Sequence, residues 1–221
     1  MKVHTVAVGL LLAISPASSV PAAELEVVPS GDGIRVHVAK QGLFAGFAHD
    51  HDFEVTHWRG TANVPEDDPG RVSVELVLDA DSLRDREKGL SESDRRKVEA
   101  QSSGAEVLDA AHHPTITFRS ESTSLLASGA EGLERGTMHG TLTLRDQEHP
   151  VDATFEAVHE GDRWHVRGRA RFLQSQFGIK PFSGFGGTVG VKDEVEVTFA
   201  LTVQPGAKNE EEEAAGQGSS P

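Results

Sequence analysis

Apolar and polar residues alternate along most of this chain, which restricts it to a sheet that hides one face and wets the other. The clearest run is 193–203, with Val195, Val197, Phe199, Leu201 and Val203 on one side and Glu194, Glu196, Thr198 and Thr202 on the other. The same period recurs in Ile34, Val36 and Val38; in Val72, Val74, Leu76 and Leu78; in Val151, Ala153, Phe155 and Ala157; and in Trp164, Val166, Ala170 and Phe172. A sheet with one buried face must pack on another sheet or close on itself, and a closed barrel can hold a small ligand. The expected fold is mainly β: an extended antiparallel up-and-down barrel with an apolar interior.

The pattern is interrupted once. Between 79 and 114 the alternation stops, and Arg84, Asp85, Arg86, Glu87 and Lys88 are followed by Ser91 and Asp94 in the spacing of a helix start. Gly104 ends the helix, and a second short turn follows before Pro114. The spacing predicts a short helical crossover around 84–111, lying over one end of the barrel through Val98, Val107 and Leu108. Residues 141–155 read as a hairpin, with a polar turn at 145–149 and Pro150 opening the second strand.

The first residues carry a secretory leader: Lys2, a short apolar run at 6–14, then small residues to Ala22 and Ala23. The apolar run is well short of the roughly 20 residues that cross a bilayer. Residues 1–22 are expected to be a cleaved signal peptide, 24–204 one barrel domain, and 205–221 a disordered acidic tail containing Glu210, Glu211, Glu212 and Glu213. The exported product would be periplasmic or extracellular, with no stable membrane span.

There is no cysteine, which excludes thiol catalysis, thiolate zinc sites and c-type haem attachment. The formal net charge is −14, or −15 once Lys2 leaves with the leader (−14 − 1). So acidic a chain disfavours nucleic acid and anionic bilayers, both polyanions. No Gly-x-Ser-x-Gly elbow or His-Glu-x-x-His pair occurs, and the chain is not expected to be an enzyme.

Three stretches resemble the YceI-like family of exported lipid-binding proteins. One is Trp58, Arg59 and Gly60, followed by a strand, a Pro/Asp/Gly turn and residues 72–82. The second, residues 113–120 (HPTITFRS), is similar to the family's YPTITF.S strand and is reached through a charged segment with Arg84 and Arg86. The third, GTLTL at 140–144 with His149, Pro150 and Val151, is similar to GDLTL.G.T.PV. Phe177, Gly178, Ile179 and Lys180 and the last strand match the family's end, so the likeness spans roughly 25–204. Where many members read VKHLG, this chain has QGLFAGFAHDH at 41–51. The resemblance implies a lipocalin-like barrel whose bore binds a long isoprenoid or similar amphiphile, with no further cofactor.

On that reading Phe118, Leu142, Phe155 and Phe199 belong to the bore. The mouth would be built from two segments that mix aromatic and polar groups. One holds Phe44, Phe47, His49 and His51; the other holds Phe177, Lys180, Phe182 and Phe185, with glycines that let it move. These aromatics would be either a plug over the barrel end or a greasy portal. In an extended segment His49 and His51 point the same way. They could hold an amphiphile's head, serve as structural histidines, or, in an alternative function as a metal- or redox-linked accessory protein, ligate a metal. Partner binding through an apolar patch is a third possibility. Arg167, Arg169 and Arg171 share one strand face, most simply the solvated outer one.

Overall fold

A computed structural model describes residues 25–42, 50–65, 71–126 and 132–206, the side chain of Phe185 excepted. The expected leader falls outside these residues, as does all but the start of the expected acidic tail. Pro205 is the last residue of the final strand.

The strands are β1 (Leu25–Gln41), β2 (His51–Val55), β3 (Trp58–Asn63), β4 (Ser73–Asp79), β5 (Leu83–Asp85), β6 (Thr115–Leu125), β7 (Leu133–Leu144), β8 (Gln147–Glu160), β9 (Arg163–Leu173), β10 (Ser183–Gly184) and β11 (Val189–Pro205). All pairings are antiparallel. β11, β9, β8, β7, β6, β4, β3 and β1 follow one another around the wall, and β1 pairs with β11 to close an eight-stranded barrel. Closure removes the free edges that an open sheet of this length would expose.

Two of the wall strands are broken. β2 and β3 run in turn along β1, so that His51 faces Val38 while Gly60 faces Val27. β4 and β5 repeat this against them, Leu78 beside Trp58 and Leu83 beside Val55. The breaks are held by Thr56 N–H donating to the Ser82 carbonyl at 3.1 Å and Asp79 N–H donating to that of His57 at 3.1 Å.

The crossover contains helix α1, Glu92–Ser103. Asp94 N–H donates to the Ser91 hydroxyl at 3.1 Å, the cap that the sequence announces, and Gly104 ends the helix. None of the helix is buried. Half-buried Val98 packs from it against the core, and polar bonds hold it down as well: Arg95 donates to the carbonyls of Asp85 and Glu87, and Glu99 accepts the Asp85 N–H at 2.9 Å. The rest of the apolar cover for this end of the barrel comes from the turn after it, where Leu108 is buried and Val107 half-buried.

The hairpin between β7 and β8 differs from the expected one. Its turn is two residues, Arg145 and Asp146, both with positive φ (52° and 57°). Pro150 therefore lies inside β8, opposite Thr141. It is accommodated because the β8–β9 ladder reaches only to Ala153, beyond which a missing N–H costs no ladder bond.

Candidate functional site

The inward phase of every long strand meets in a cavity of ≈ 320 Å³. That is at the low end of the roughly 300–1,000 Å³ of small-molecule pockets. All but four of its 39 lining residues are apolar; the four are Ser102, Thr123, Glu134 and Gln174. Phe118, Leu142, Phe155 and Phe199 are among the lining residues. These four point inward yet are only partly buried, because they face a hollow instead of packed atoms.

The aromatic rings lie flat against the wall because glycines make room for them. A Cβ on Gly140 would sit 2.6 Å from the ring of Phe118, and one on Gly168 would sit 2.5 Å from that of Phe199. Both glycines occupy inward positions, where the period calls for a side chain. Removing that side chain lets a neighbouring ring lie across the strand, filling wall and not bore. Sequence reasoning missed these glycines, although their place in the alternation, flanked by Leu142 on one strand and Val166 and Ala170 on the other, was a usable signal.

The two expected mouth segments meet at one end of the barrel. β1 pairs Gln41 with Gly190, β10 pairs Ser183 with the same Gly190, and Lys40 N–H donates to Asp50 Oδ1 at 2.9 Å. This crossover end is well filled. Phe177 is 1 % exposed and packs edge-on against His149 and Phe172, and Ile179 and Leu108 are also buried. Phe177, Lys180 and Phe182 do not line the cavity; Lys180 is exposed and Phe182 half-exposed. Phe44, Phe47 and His49 lie outside the described residues, as does the Phe185 side chain.

His51 has a defined role in this packing. Its Nδ1 lies 2.7 Å from Oδ2 of Asp85, whose side chain is fully buried and whose other oxygen accepts the Glu87 N–H at 2.8 Å. The pair ties β2 to the start of the crossover. Among the described residues no group of three or more His, Cys, Asp or Glu could hold a metal ion.

The outer face is charged and paired. Glu156 takes Arg135 and Arg167, each at 2.7 Å, and together they hold its carboxyl below the usual range, Arg167 most strongly. Arg171 pairs with Glu196, and Arg169 is exposed on the same face. A relay of Ser124, His139 and Asp152 also lies outside, with His139 3.1 Å from the serine and 2.8 Å from the aspartate. Ser124 and Asp152 are open to solvent, across the wall from the bore, so the relay lacks the water-excluded setting in which such groups become effective.

The model of the YceI-like domain matches residues 29–203, most of the chain. Solved structures share the fold at low identity. The crystal structure of Burkholderia cenocepacia BcnA is 18 % identical, covering 76 % of this chain and 95 % of its own, with a TM-score of 0.58. A polyisoprenoid binding domain from Saccharophagus degradans, implicated in plant cell wall breakdown, is 11 % identical, covering 84 % and 99 %, with a TM-score of 0.56. The Campylobacter jejuni YCEI protein is 11 % identical, covering 94 % and 100 %, with a TM-score of 0.52. Among functionally curated proteins, none matches the sequence. The closed barrel, its apolar bore and the domain match over residues 29–203 agree: the chain belongs to the YceI-like family.

Proposed function

We propose that the protein is an exported carrier or sequestering protein that holds an amphiphile by its long apolar tail, an isoprenoid or similar lipid. The observation that carries this reading is the bore itself: a hollow walled by apolar side chains inside an otherwise acidic, well-solvated barrel. Each tail methylene buried there is worth about 0.8 kcal/mol. About ten would contribute about 8 kcal/mol, enough for micromolar binding before ordering costs. The polyisoprenoid binding domain from Saccharophagus degradans, with the same fold, supports an isoprenoid as the tail. The leader-like composition of residues 1–22 supports export, and a periplasmic or extracellular carrier would shield such a tail from water between membranes.

The ligand-binding set we assign is the bore: Phe118, Leu142, Phe155 and Phe199, with Trp164 and Met138 beside them. No specific observation favours metal-linked chemistry, because the described His51 nitrogen is engaged with Asp85. The test is organic extraction of protein purified from its native host, followed by mass spectrometry. A stoichiometric long-chain amphiphile is expected. Recovery of none, together with no binding of an added long-chain probe, refutes the carrier.

A further inference from the structure

The junction between β4 and β6 is the weak line of the wall. Every other junction carries its ladder to the end of the barrel opposite the crossover. This one stops at Glu75 and Arg119, whose side chains also pair at 2.9 Å. Beyond them β6 continues to Leu125 paired with β7 alone, and β4 reaches back to Ser73 paired with β3 alone. The cause lies in β6, whose register on β7 shifts between Ser120 and Ser122. A bulge of that kind bends a strand and ends its pairing.

Side chains bridge the gap that results. Val74 N–H donates to the Ser120 hydroxyl at 2.7 Å, and the Thr123 hydroxyl reaches the Val72 carbonyl only at 3.5 Å. Outside the seam lies a hollow of ≈ 350 Å³ lined by Thr61, Asn63, Ser73, Glu75, Arg119 and Ser120. Ala62 and Val74 line both this hollow and the bore, so one layer of wall separates the two. Oδ1 of Asn63, the residue paired with Ser73, is sequestered with no hydrogen-bond partner. A buried acceptor without a donor raises the energy of the closed wall, and water that reaches it on opening relieves it. Parting the strands here breaks these two side-chain bonds and no ladder. A tail entering at the crossover end would instead have to displace buried Leu108, Leu144, Phe177 and Ile179.

Resting on the carrier reading, we propose that the seam between β4 and β6 is a lateral gate through which the guest enters and leaves. The strands part beyond the Glu75–Arg119 pair, while β3 and β7 hold each by its other edge. The tail passes sideways into the bore, between the lining residues Val72 and Val74 on one lip and Thr123 and Leu125 on the other.

Stopped-flow mixing of the full chain with a dansyl-labelled long-chain fatty acid tests this, with loading and release followed separately. A gate multiplies both rates by one factor and leaves their ratio, the affinity, unchanged. Ser120→Ala, which strips the Val74 N–H of its acceptor, is expected to speed both about three- to tenfold at constant affinity. The double variant Ser73→Cys, Ser120→Cys sets the chain's only two thiols on opposite lips of the hollow. Bridging them with ethanediyl bismethanethiosulfonate is expected to slow both rates at least about tenfold until a reductant cleaves the bridge. This second test holds even if Ser120→Ala fails to fold. Unchanged rates in Ser120→Ala, loading by the bridged protein at the unbridged rate, or thiols that each react but never bridge would overturn the gate while the carrier reading stands. Failure of the unaltered protein to bind the probe overturns the carrier reading itself.

Discussion

Ala170 offers the sharpest test of whether a tail occupies the bore. It lines the cavity on β9, opposite Ala153 on one side and Val197 on the other, and is only partly buried because it faces the hollow. Ala170→Phe would extend a ring into that space and displace about six tail carbons. At about 0.8 kcal/mol each, the loss is about 5 kcal/mol, or between about three and four orders of magnitude in affinity. Sliding of the tail along the bore recovers part of this, so a drop of at least about a hundredfold is expected. Ala170→Val, with two added carbons, should cost about fifteenfold by the same arithmetic. Trp164 also lines the bore, so quenching of its fluorescence can follow occupancy, and a thermal melt in parallel checks the fold. Native-like melting with undiminished affinity in both variants would refute the reasoning, because the tail would have to lie elsewhere.

Three further outcomes are expected. His51→Ala should lower stability by about 1–3 kcal/mol in urea titration at neutral pH, since it strips the buried Asp85 carboxylate of its side-chain partner; an unchanged midpoint would mean the pair holds nothing. Gly168→Ala should cost about 1–3 kcal/mol in thermal unfolding, because the new Cβ would lie 2.3 Å from the Thr154 carbonyl as well as against the Phe199 ring, forcing the wall to shift; an unshifted melt would show that the wall gives freely. Glu156, whose folded pKa is depressed, contributes stability that is present above its unfolded value and lost as pH falls through the folded one. Carboxyl NMR should show it titrating below a free glutamate and moving back up in Arg167→Ala; no movement would assign the depression to another group.

The barrel was legible because the period of two repeats in almost every wall strand, and because a misplaced register would turn a row such as Val195, Val197 and Phe199 out to water. The helix announced itself through Ser91 and Asp94. The short turn was hidden, since Arg145 and Asp146 carry no glycine to advertise positive φ. So were the breaks in the second and third wall strands, which are fixed by bonds from Thr56 to Ser82 and from Asp79 to His57, between residues distant in sequence. Among the residues that line the cavity, the phenylalanines were visible from their phase alone. The partner of His51 was not, because Asp85 lies 34 positions away in a segment that reads only as charged.

The indifference of the bore's wall has a consequence for what can be carried. Apart from Ser102, Thr123, Glu134 and Gln174, the described lining residues offer no side-chain hydrogen bond that would fix one carbon of a guest rather than the next. Dispersion and water exclusion reward occupancy without marking position. A guest is therefore free to shuttle lengthwise like a rod in a sleeve, and homologues that differ by an isoprene unit would be graded by depth and not by fit. Selection for chain length would fall to the stop at the bottom, where Leu108 and Leu144 close the sleeve.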